Sequence, residues 1–229
     1  MRIPLTKYGL PEVAVYPAFI ILLMAGAGLF ASARLPAWTL AVAESVLTLV
    51  LIWTLMFFRD PNRRTLRDDA ILLAPADGQV RDIETVDEAD FIGGRALRIG
   101  IFLSIFNTHI NRAPCSARVE RITYRRGKYL NAMNPLAGKV NESNSLALVR
   151  VNDPKDRLIV RQVSGAVARR IVCGARTGQR LAGGERFGMI KIGSRTELYL
   201  PAGDGIECLV RVGDKVKAGI TPLVKYKDV

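Results

Sequence analysis

Two long uncharged runs at the N-terminal end limit how this chain can fold more than any other feature. From Val13 to Ala33 no residue is charged, and from Leu35 to Phe58 the only charge is Glu44. Each run approaches or exceeds the roughly 20 residues that carry a helix across the hydrocarbon core of a bilayer. Ser32 to Pro36 separate the two, a connection short enough to predict a tight helical hairpin. A secretory signal fits poorly because the apolar region is double and too long. A buried soluble hairpin would need a large partner surface. The expectation is a membrane-anchoring hairpin over residues 1–58 and a second domain over 59–229.

Two spans return the chain to the side on which it began. Arg2 and Lys7 precede the first run, Arg59, Arg63, Arg64 and Arg67 follow the second, and the turn carries only Arg34. Basic residues are retained on the cytoplasmic side, so the bias places both ends there. That puts the second domain on the cytoplasmic face of the cell (inner) membrane. Glu44 is costly inside hydrocarbon; either it is protonated or the hairpin dips into one leaflet.

The formal net charge is +12, and the second domain holds nearly all of it, with 30 of the 33 basic and 19 of the 21 acidic residues from Arg59 onward. Nucleic acid is one partner that such charge attracts. The basic residues stand singly or in pairs, such as Arg125-Arg126 and Arg169-Arg170, with no recognition helix or aromatic stacking pattern, so no nucleic acid is expected. An anionic phospholipid surface fits a tethered basic domain better, each basic residue near it contributing about 1 kcal/mol. Cys115, Cys173 and Cys208 are widely spaced, and with the single His109 they make no zinc pattern. Reduced thiols and no metal are expected.

After a charged linker, Arg59 to Asp69, the sequence breaks into short runs rich in branched residues with glycine and proline between them. Strands are predicted over Ile71–Ala74, Gln79–Glu84, Ala96–Leu103, Ala117–Tyr124, Leu146–Val151 and Leu158–Ser164. Further strands are predicted over Arg169–Cys173, Phe187–Ile192, Glu197–Leu200, Glu207–Val212 and Pro222–Tyr226. Ser104 to Asn111 reads as a loop or a helical turn, and no long amphipathic helix is visible. This pattern predicts a mainly β fold: an antiparallel sandwich or partly closed barrel. Two pieces, Ala74–Val80 and Val212–Gly219, resemble the hammerhead hairpins of biotinyl and lipoyl carrier domains. There is no carrier lysine at a hairpin tip.

One dipeptide carries unusual chemistry. Gly193-Ser194 lies between two predicted strands in ERFGMIKIGSRTELYLP. By itself Gly-Ser between strands is a turn or kink, since glycine tolerates angles that other residues do not. In a strained and aligned peptide, however, the serine hydroxyl can attack the preceding carbonyl. The resulting ester can be cleaved by β-elimination, leaving dehydroalanine and finally a pyruvoyl group. Such a carbonyl condenses with a primary amine and serves as the electron sink otherwise supplied by pyridoxal phosphate.

Five collinear stretches bear on that choice. They are Phe57-Phe58-Arg59-Asp60-Pro61-Asn62-Arg63, Pro75-Ala76-Asp77-Gly78, FLSIFNTHINRAP from Phe102 to Pro114, Gly165-Ala166-Val167-Ala168-Arg169-Arg170-Ile171, and Arg186 to Arg195. In this order they resemble the phosphatidylserine decarboxylase proenzymes, specifically the short bacterial and archaeal branch. The resemblance implies cleavage between Gly193 and Ser194, giving a β chain of residues 1–193 and an α chain of residues 194–229. The two would remain together as a heterodimer, with further oligomerisation left open. The α chain would begin with a pyruvoyl group made from Ser194, with no metal and no pyridoxal phosphate. The implied reaction converts phosphatidylserine to phosphatidylethanolamine and carbon dioxide; archaetidylserine carries the same head group.

The resemblance also assigns roles. Asp77, otherwise a plain Asp-Gly turn residue, becomes the carboxylate that orients a histidine near the processing serine, as in other activated hydroxyls. Many relatives have two histidines three residues apart in the FLSIFNTHINRAP stretch, the second serving the processing relay. Here the first is His109 and the second position is Arg112, which cannot act as a base at neutral pH. His109 is therefore expected to serve both processing and the later protonation. Arg112, Asn107 and Lys191 are candidate substrate-binding residues. A non-enzymatic membrane adaptor with a carrier-like β domain is the alternative.

Overall fold

The computed structural model describes residues 5–31, 35–66, 68–134, 136–166, 170–191 and 194–227. Several sequence expectations lie outside these residues: the centre of the hairpin turn at 32–34, Arg2, Arg34 and Arg67, residues 167–169 of one motif, and Gly193 of the Gly-Ser pair. The chain divides into two compact units, residues 1–61 and 62–229.

The first unit is helical. Helix α1 spans Glu12–Gly26 and runs on as a π turn over Ala27–Ala31; helix α2 spans Ala37–Phe57. Both are long and apolar enough to cross a membrane, and their side chains are mostly unburied within the unit. A helix that is apolar all round belongs in a core or in lipid. Leu5 pairs with Arg59, and the Thr6 N–H donates to the Phe58 carbonyl at 3.0 Å, so the start and end of the unit are tied together. Glu44 sits within α2.

The second unit is mainly antiparallel β. Its strands are β1 (Ile71–Leu73), β2 (Gly78–Glu88), β3 (Gly94–Leu103), β4 (Ile110–Arg112), β5 (Ala117–Arg125), β6 (Ser143–Arg150) and β7 (Arg157–Val163). They continue as β8 (Ile171–Cys173), β9 (Arg180–Leu181), β10 (Arg186–Ile190), β11 (Ser194–Pro201), β12 (Ile206–Cys208), β13 (Lys215–Val216) and β14 (Pro222–Tyr226). A large curled sheet has the order β13-β2-β3-β11-β7-β6-β5-β9, flanked by β1-β14-β12 and β4-β10-β8. A single turn of helix, α3 (Ala137–Val140), interrupts the β5–β6 connection.

Alternation explains the core. Ile99, Ile101 and Leu103 of β3, Leu198 and Leu200 of β11, Leu158 and Val160 of β7, and Leu146 and Leu148 of β6 all point inward and are fully buried. Successive strand residues face opposite sides, so each strand contributes every second residue. On three of these strands the inward series changes character toward one end: Thr196, Gln162 and Asn144 occupy core-phase positions and are buried there.

The two carrier-like pieces pair with each other, Lys215 opposite Gln79 and Val216 opposite Gly78. Gly78 is required where it stands, because a Cβ would collide with the Phe102 carbonyl. Several boundaries differ from the sequence expectation. The strand predicted from Phe187 closes at Ile190, before Ser194 opens the next. The strand predicted over Glu207–Val212 stops at Cys208, because residues beyond it turn back so that the Gly213 N–H reaches the Val80 carbonyl at 2.8 Å. Residues 104–111 are only partly a loop: Ile110 starts β4, and β4, β9 and β13 were too short to announce themselves by alternation.

Candidate active site

Ser194 is the first residue of β11 and lies opposite Leu103 of β3. It is fully buried, and its Oγ has no hydrogen-bond partner among the described residues. A buried polar atom left unsatisfied costs about 1–3 kcal/mol. Such exceptions in a folded protein call for a reason, and a reactive role is one of them. Gly193, the other half of the pair, lies outside the described residues.

His109 stands just before β4, also fully buried. Its carbonyl accepts from the Ile190 N–H at 3.2 Å, which ties it to the strand that leads into Ser194. Its Nδ1 is 3.0 Å from the Asn107 carbonyl. A carbonyl can only accept, so Nδ1 carries the proton and Nε2 is the basic nitrogen. Asn107 owes its place to loop architecture: its Oδ1 accepts from both the N–H and the hydroxyl of Ser104 at 2.8 Å. Lys191 is buried between His109's partner strand and Ser194, its N–H donating to the Arg170 carbonyl at 3.1 Å.

A buried polar relay holds these segments in register. Asn111, two residues past His109, donates from Nδ2 to Thr196 Oγ1 at 3.0 Å, two residues past Ser194. Its Oδ1 accepts from Gln162 Nε2 at 2.9 Å, and Gln162 Oε1 accepts from Asn144 Nδ2 at 3.0 Å. Four neutral side chains thus join β4, β11, β7 and β6 beneath the serine. Buried networks of this kind rigidify when every member is satisfied. Gly188 of β10 lets the neighbouring strand approach, since a Cβ there would meet the Val172 carbonyl.

Asp77 belongs to a different cluster. Arg63 grips both its oxygens, Nη1 to Oδ1 at 2.5 Å and Nη2 to Oδ2 at 2.7 Å, and the Ala218 N–H donates to Oδ1 at 2.8 Å. The carboxylate makes no hydrogen bond to His109 among the described residues, so the acid–histidine contact implied by the resemblance is not seen. The described contact of the imidazole is that of Nδ1 with the Asn107 carbonyl. Through the β2–β3 and β3–β11 registers, Gln79, two residues past Asp77, and Arg195, the residue after Ser194, lie opposite the two sides of Phe102. Arg112 lies with this second cluster: its N–H donates to the Pro75 carbonyl at 2.9 Å and its Nη1 to the Gly184 carbonyl at 3.0 Å. It is buried. Sequence reading missed Arg63 as Asp77's partner and missed the relay altogether.

The opposite face of β11 is charged. Arg195 donates from Nε to Glu197 Oε1 at 2.7 Å and from Nη2 to Asp82 Oδ1 at 2.6 Å. Tyr199 donates to Glu197 Oε2 at 2.6 Å. Burial alone would lower the Arg195 pKa, but Asp82 and Glu197 together raise it above its ordinary value. The cysteines are not paired with one another. Burial pushes the Cys115 thiol up to about 12, which keeps it protonated and unreactive at neutral pH. Among the described residues no three metal-ligating side chains cluster.

Comparison with known proteins places the chain in a family. The sequence pattern of the phosphatidylserine decarboxylase family matches residues 50–223, which include the serine, the histidine and the relay. The phosphatidylserine decarboxylase proenzyme of Rhodopirellula baltica is 40% identical over 227 residues, covering 99% of this chain and 90% of its own length. That of Symbiobacterium thermophilum is 46% identical over 184 residues, 80% of this chain and 82% of its own. That of Desulfotalea psychrophila is 36% identical over 222 residues, 97% and 96% of the two chains. With so much of its length shared, the chain belongs to the phosphatidylserine decarboxylase family.

Proposed function

We propose that this chain is a self-processing, pyruvoyl-dependent decarboxylase that converts phosphatidylserine to phosphatidylethanolamine and carbon dioxide. The observation that carries this reading is the buried Ser194 hydroxyl, without a hydrogen-bond partner among the described residues, at the position where the family's cleavage is expected. A hydroxyl with no competing bond is free to attack the Gly193 carbonyl. In that step the Oγ–C bond forms, the Gly193–Ser194 C–N bond breaks, and the nitrogen keeps the proton that the hydroxyl gives up. Loss of the Ser194 α-proton then expels the Gly193 carboxylate. Water completes the change by releasing ammonia, and the carbonyl remains at position 194.

A pyruvoyl carbonyl there supplies the electron sink for loss of carbon dioxide from an amine-bearing substrate. The residues present fit it: the group would grow from Ser194 itself, which is fully buried two residues before Thr196, the residue that Asn111 holds by a hydrogen bond. His109, with Nδ1 holding a proton against Asn107, has Nε2 to receive the serine proton and to return one to the product carbon. Asp77, braced by Arg63, fixes the Pro75–Gly78 turn and so the β2–β3 pairing beside Leu103. Arg112 and Lys191 are the cations for the substrate's anionic groups. Residues 1–58 serve as a membrane-anchoring hairpin and 59–229 as the decarboxylase domain, on the cytoplasmic side of the cell membrane.

Purified protein should run on a denaturing gel as two fragments, residues 1–193 and 194–229, the smaller with a blocked N-terminus. Ser194→Ala should stay a single chain and release no carbon dioxide from phosphatidylserine. An intact wild-type chain that is active would overturn the reading.

A further inference from the structure

Ser194 stands in a row of polar side chains that runs across three strands. Arg195 of β11 lies opposite Val163 of β7, and Val163 lies opposite Ser143 of β6. One step outward, the same registers set Ser194 beside Ser164 and Ser164 beside Glu142. The backbone joins the second of these pairs, the Ser164 N–H donating to the Glu142 carbonyl at 2.9 Å. Residues opposite one another on adjacent strands share a face of the sheet. The row therefore faces the same way as Thr196, Gln162 and Asn144, which lie two residues further along the strands. There the side chains of Gln162 and Asn144 meet at 3.0 Å.

The inner row is satisfied and the outer row is not. Ser194 Oγ, Ser164 Oγ and Glu142 Oε2 are all buried, and none has a hydrogen-bond partner among the described residues. Glu142 is 5% exposed, and its other oxygen, Oε1, accepts from the Tyr124 hydroxyl at 2.7 Å. The buried carboxylates Asp77 and Glu197 each hold an arginine. Glu142 holds no cation among the described residues. A buried carboxylate is costly unless a positive charge and hydrogen bonds compensate it. The backbone keeps both residues in place. The Glu142 N–H donates to the Lys128 carbonyl at 3.0 Å, and Asn141 Nδ2 donates to the Ser164 carbonyl at 2.8 Å. A carboxylate oxygen can only accept, and a serine oxygen can accept as well. The group that would complete this row is a cation with several N–H donors.

We infer that Glu142 and Ser164 receive the primary ammonium group of the substrate beside position 194. The inference rests on the proposed function and names residues for a step left unassigned there. An ammonium group cannot attack a carbonyl until it sheds a proton. Glu142 Oε2 takes that proton: one N–H bond breaks, an O–H bond forms, and the freed lone pair attacks the carbonyl carbon at 194. The two hydrogens left on nitrogen then depart with the carbonyl oxygen as water. Neighbouring strands lie about 4.8 Å apart, so about 10 Å separates the β11 and β6 backbones. A glutamate side chain and one ammonium group fill such a span, with Ser164 Oγ between them to accept a second N–H. A head group with a hydroxyl in place of the amine would leave Glu142 uncompensated, which sets a preference for amines.

The test compares two nucleophiles on the full chain in detergent, and needs no turnover. Dihexanoyl phosphatidylethanolamine carries an ammonium group at neutral pH and is captured covalently with sodium cyanoborohydride. Hydroxylamine is uncharged at neutral pH and reacts with the same carbonyl directly. The mass of the 194–229 fragment records either capture, and the ratio of the two rates is the quantity read. Glu142→Gln keeps an acceptor for Tyr124 and removes the charge, so the ratio of amine to hydroxylamine capture should fall about tenfold or more, as for a lost charged hydrogen bond. Ser164→Ala should lower it about threefold, as for a neutral one. A ratio unmoved in Glu142→Gln overturns the inference, whether both rates hold or both fall together, because a merely structural carboxylate would not separate the two nucleophiles. Should Glu142→Gln fail to cleave and so carry no carbonyl, Ser164→Ala decides. It removes a hydroxyl that bonds nothing among the described residues, and a wild-type ratio there overturns the inference. A wild-type chain that neither cleaves nor captures hydroxylamine sinks the proposed function. A wild-type chain that does both, with variants of unmoved ratio, sinks this inference alone.

Discussion

The two faces of β11 are built from alternate residues of one strand, yet they follow opposite rules. Arg195, Glu197 and Tyr199 point to one side, where each buried charge has an opposite charge or a hydrogen-bond donor against it. Ser194, Thr196, Leu198 and Leu200 point to the other, where the strand's own polar side chains are neutral and the first of them has no partner among the described residues. On the charged face Arg195, Glu197 and Tyr199 are all committed to one another or to Asp82. The neutral face grades from apolar core through a satisfied amide relay to a single uncommitted hydroxyl. The difference teaches where to look for chemistry in this strand: beside the saturated network, not inside it.

Breaking the charged face should cost most. Glu197 is fully buried and receives Arg195 and Tyr199, with Arg161 Nη1 3.8 Å away. Removing one partner of a buried ion pair typically costs 3–5 kcal/mol, because the other charge stays buried without compensation, so Glu197→Ala should lose about that much. Urea unfolding of detergent-solubilised protein measures it. A loss under about 1 kcal/mol, the range of exposed pairs, would mean that this face is a surface decoration and the contrast is false.

Interrupting the relay should cost less in stability and more in processing. Asn111→Ala strips Thr196 and Gln162 of their shared partner, for an expected loss of about 1–3 kcal/mol. Because Asn111 links the segment of His109 to the strand of Ser194, cleavage should slow as well. The half-time of the 194–229 fragment on a gel, compared between Asn111→Ala and Glu197→Ala, separates the two faces. If the less destabilised Asn111→Ala does not cleave more slowly than Glu197→Ala, the relay is only packing.

How far these features could be read in the sequence depends on the range of the interaction that creates them. The helical unit, most strands, and the placing of Ser194 and His109 follow from local composition and short motifs. The bond between Arg63 and Asp77 does not, because an ion pair across a linker and a turn leaves no period. The relay did leave a signal. Thr196 precedes Leu198 and Leu200 at the same phase, Gln162 follows Leu158 and Val160, and Asn144 precedes Leu146 and Leu148. A polar residue at the core phase of three strands, all toward one end, marks a polar floor, and only strand register could show that the three meet. The resemblance implies an acid–histidine contact; among the described residues Asp77 is bonded by Arg63 and the Ala218 N–H, and His109 Nδ1 faces the Asn107 carbonyl.

A smaller effect should distinguish the faces by pH. Burial raises the Tyr199 pKa above its ordinary value, and the neighbouring Glu197 raises it further while Arg161 opposes. The folded state thus holds the phenol proton more tightly than the unfolded chain, whose value is about 10. Stability from this group is therefore complete below pH ~10 and is lost as pH rises beyond it. Tyr199→Phe should flatten the alkaline limb of the unfolding curve, at a cost near neutrality of about 1 kcal/mol for the hydrogen bond to Glu197. An unchanged alkaline limb would assign the slope to other groups, Tyr226 and Cys115 being next, as both are raised by burial.

The smallest expected effect on stability belongs to the residue with the largest effect on function. Replacing a satisfied buried hydroxyl costs a hydrogen bond, but Ser194 Oγ has none to lose among the described residues. Ser194→Ala removes an unsolvated dipole and leaves a gap the size of one oxygen, so the unfolding free energy should hold or rise by about 1 kcal/mol. The comparison must be made between uncleaved chains, because a nicked chain unfolds from a different state. A His109→Ala background serves, since loss of the base is expected to slow cleavage enough to isolate the intact form. Thermal and urea melts of His109→Ala with and without Ser194→Ala then isolate the hydroxyl. A clear loss on adding Ser194→Ala would mean that Oγ is bonded in the folded precursor, and that the neutral face is as fully committed as the charged one.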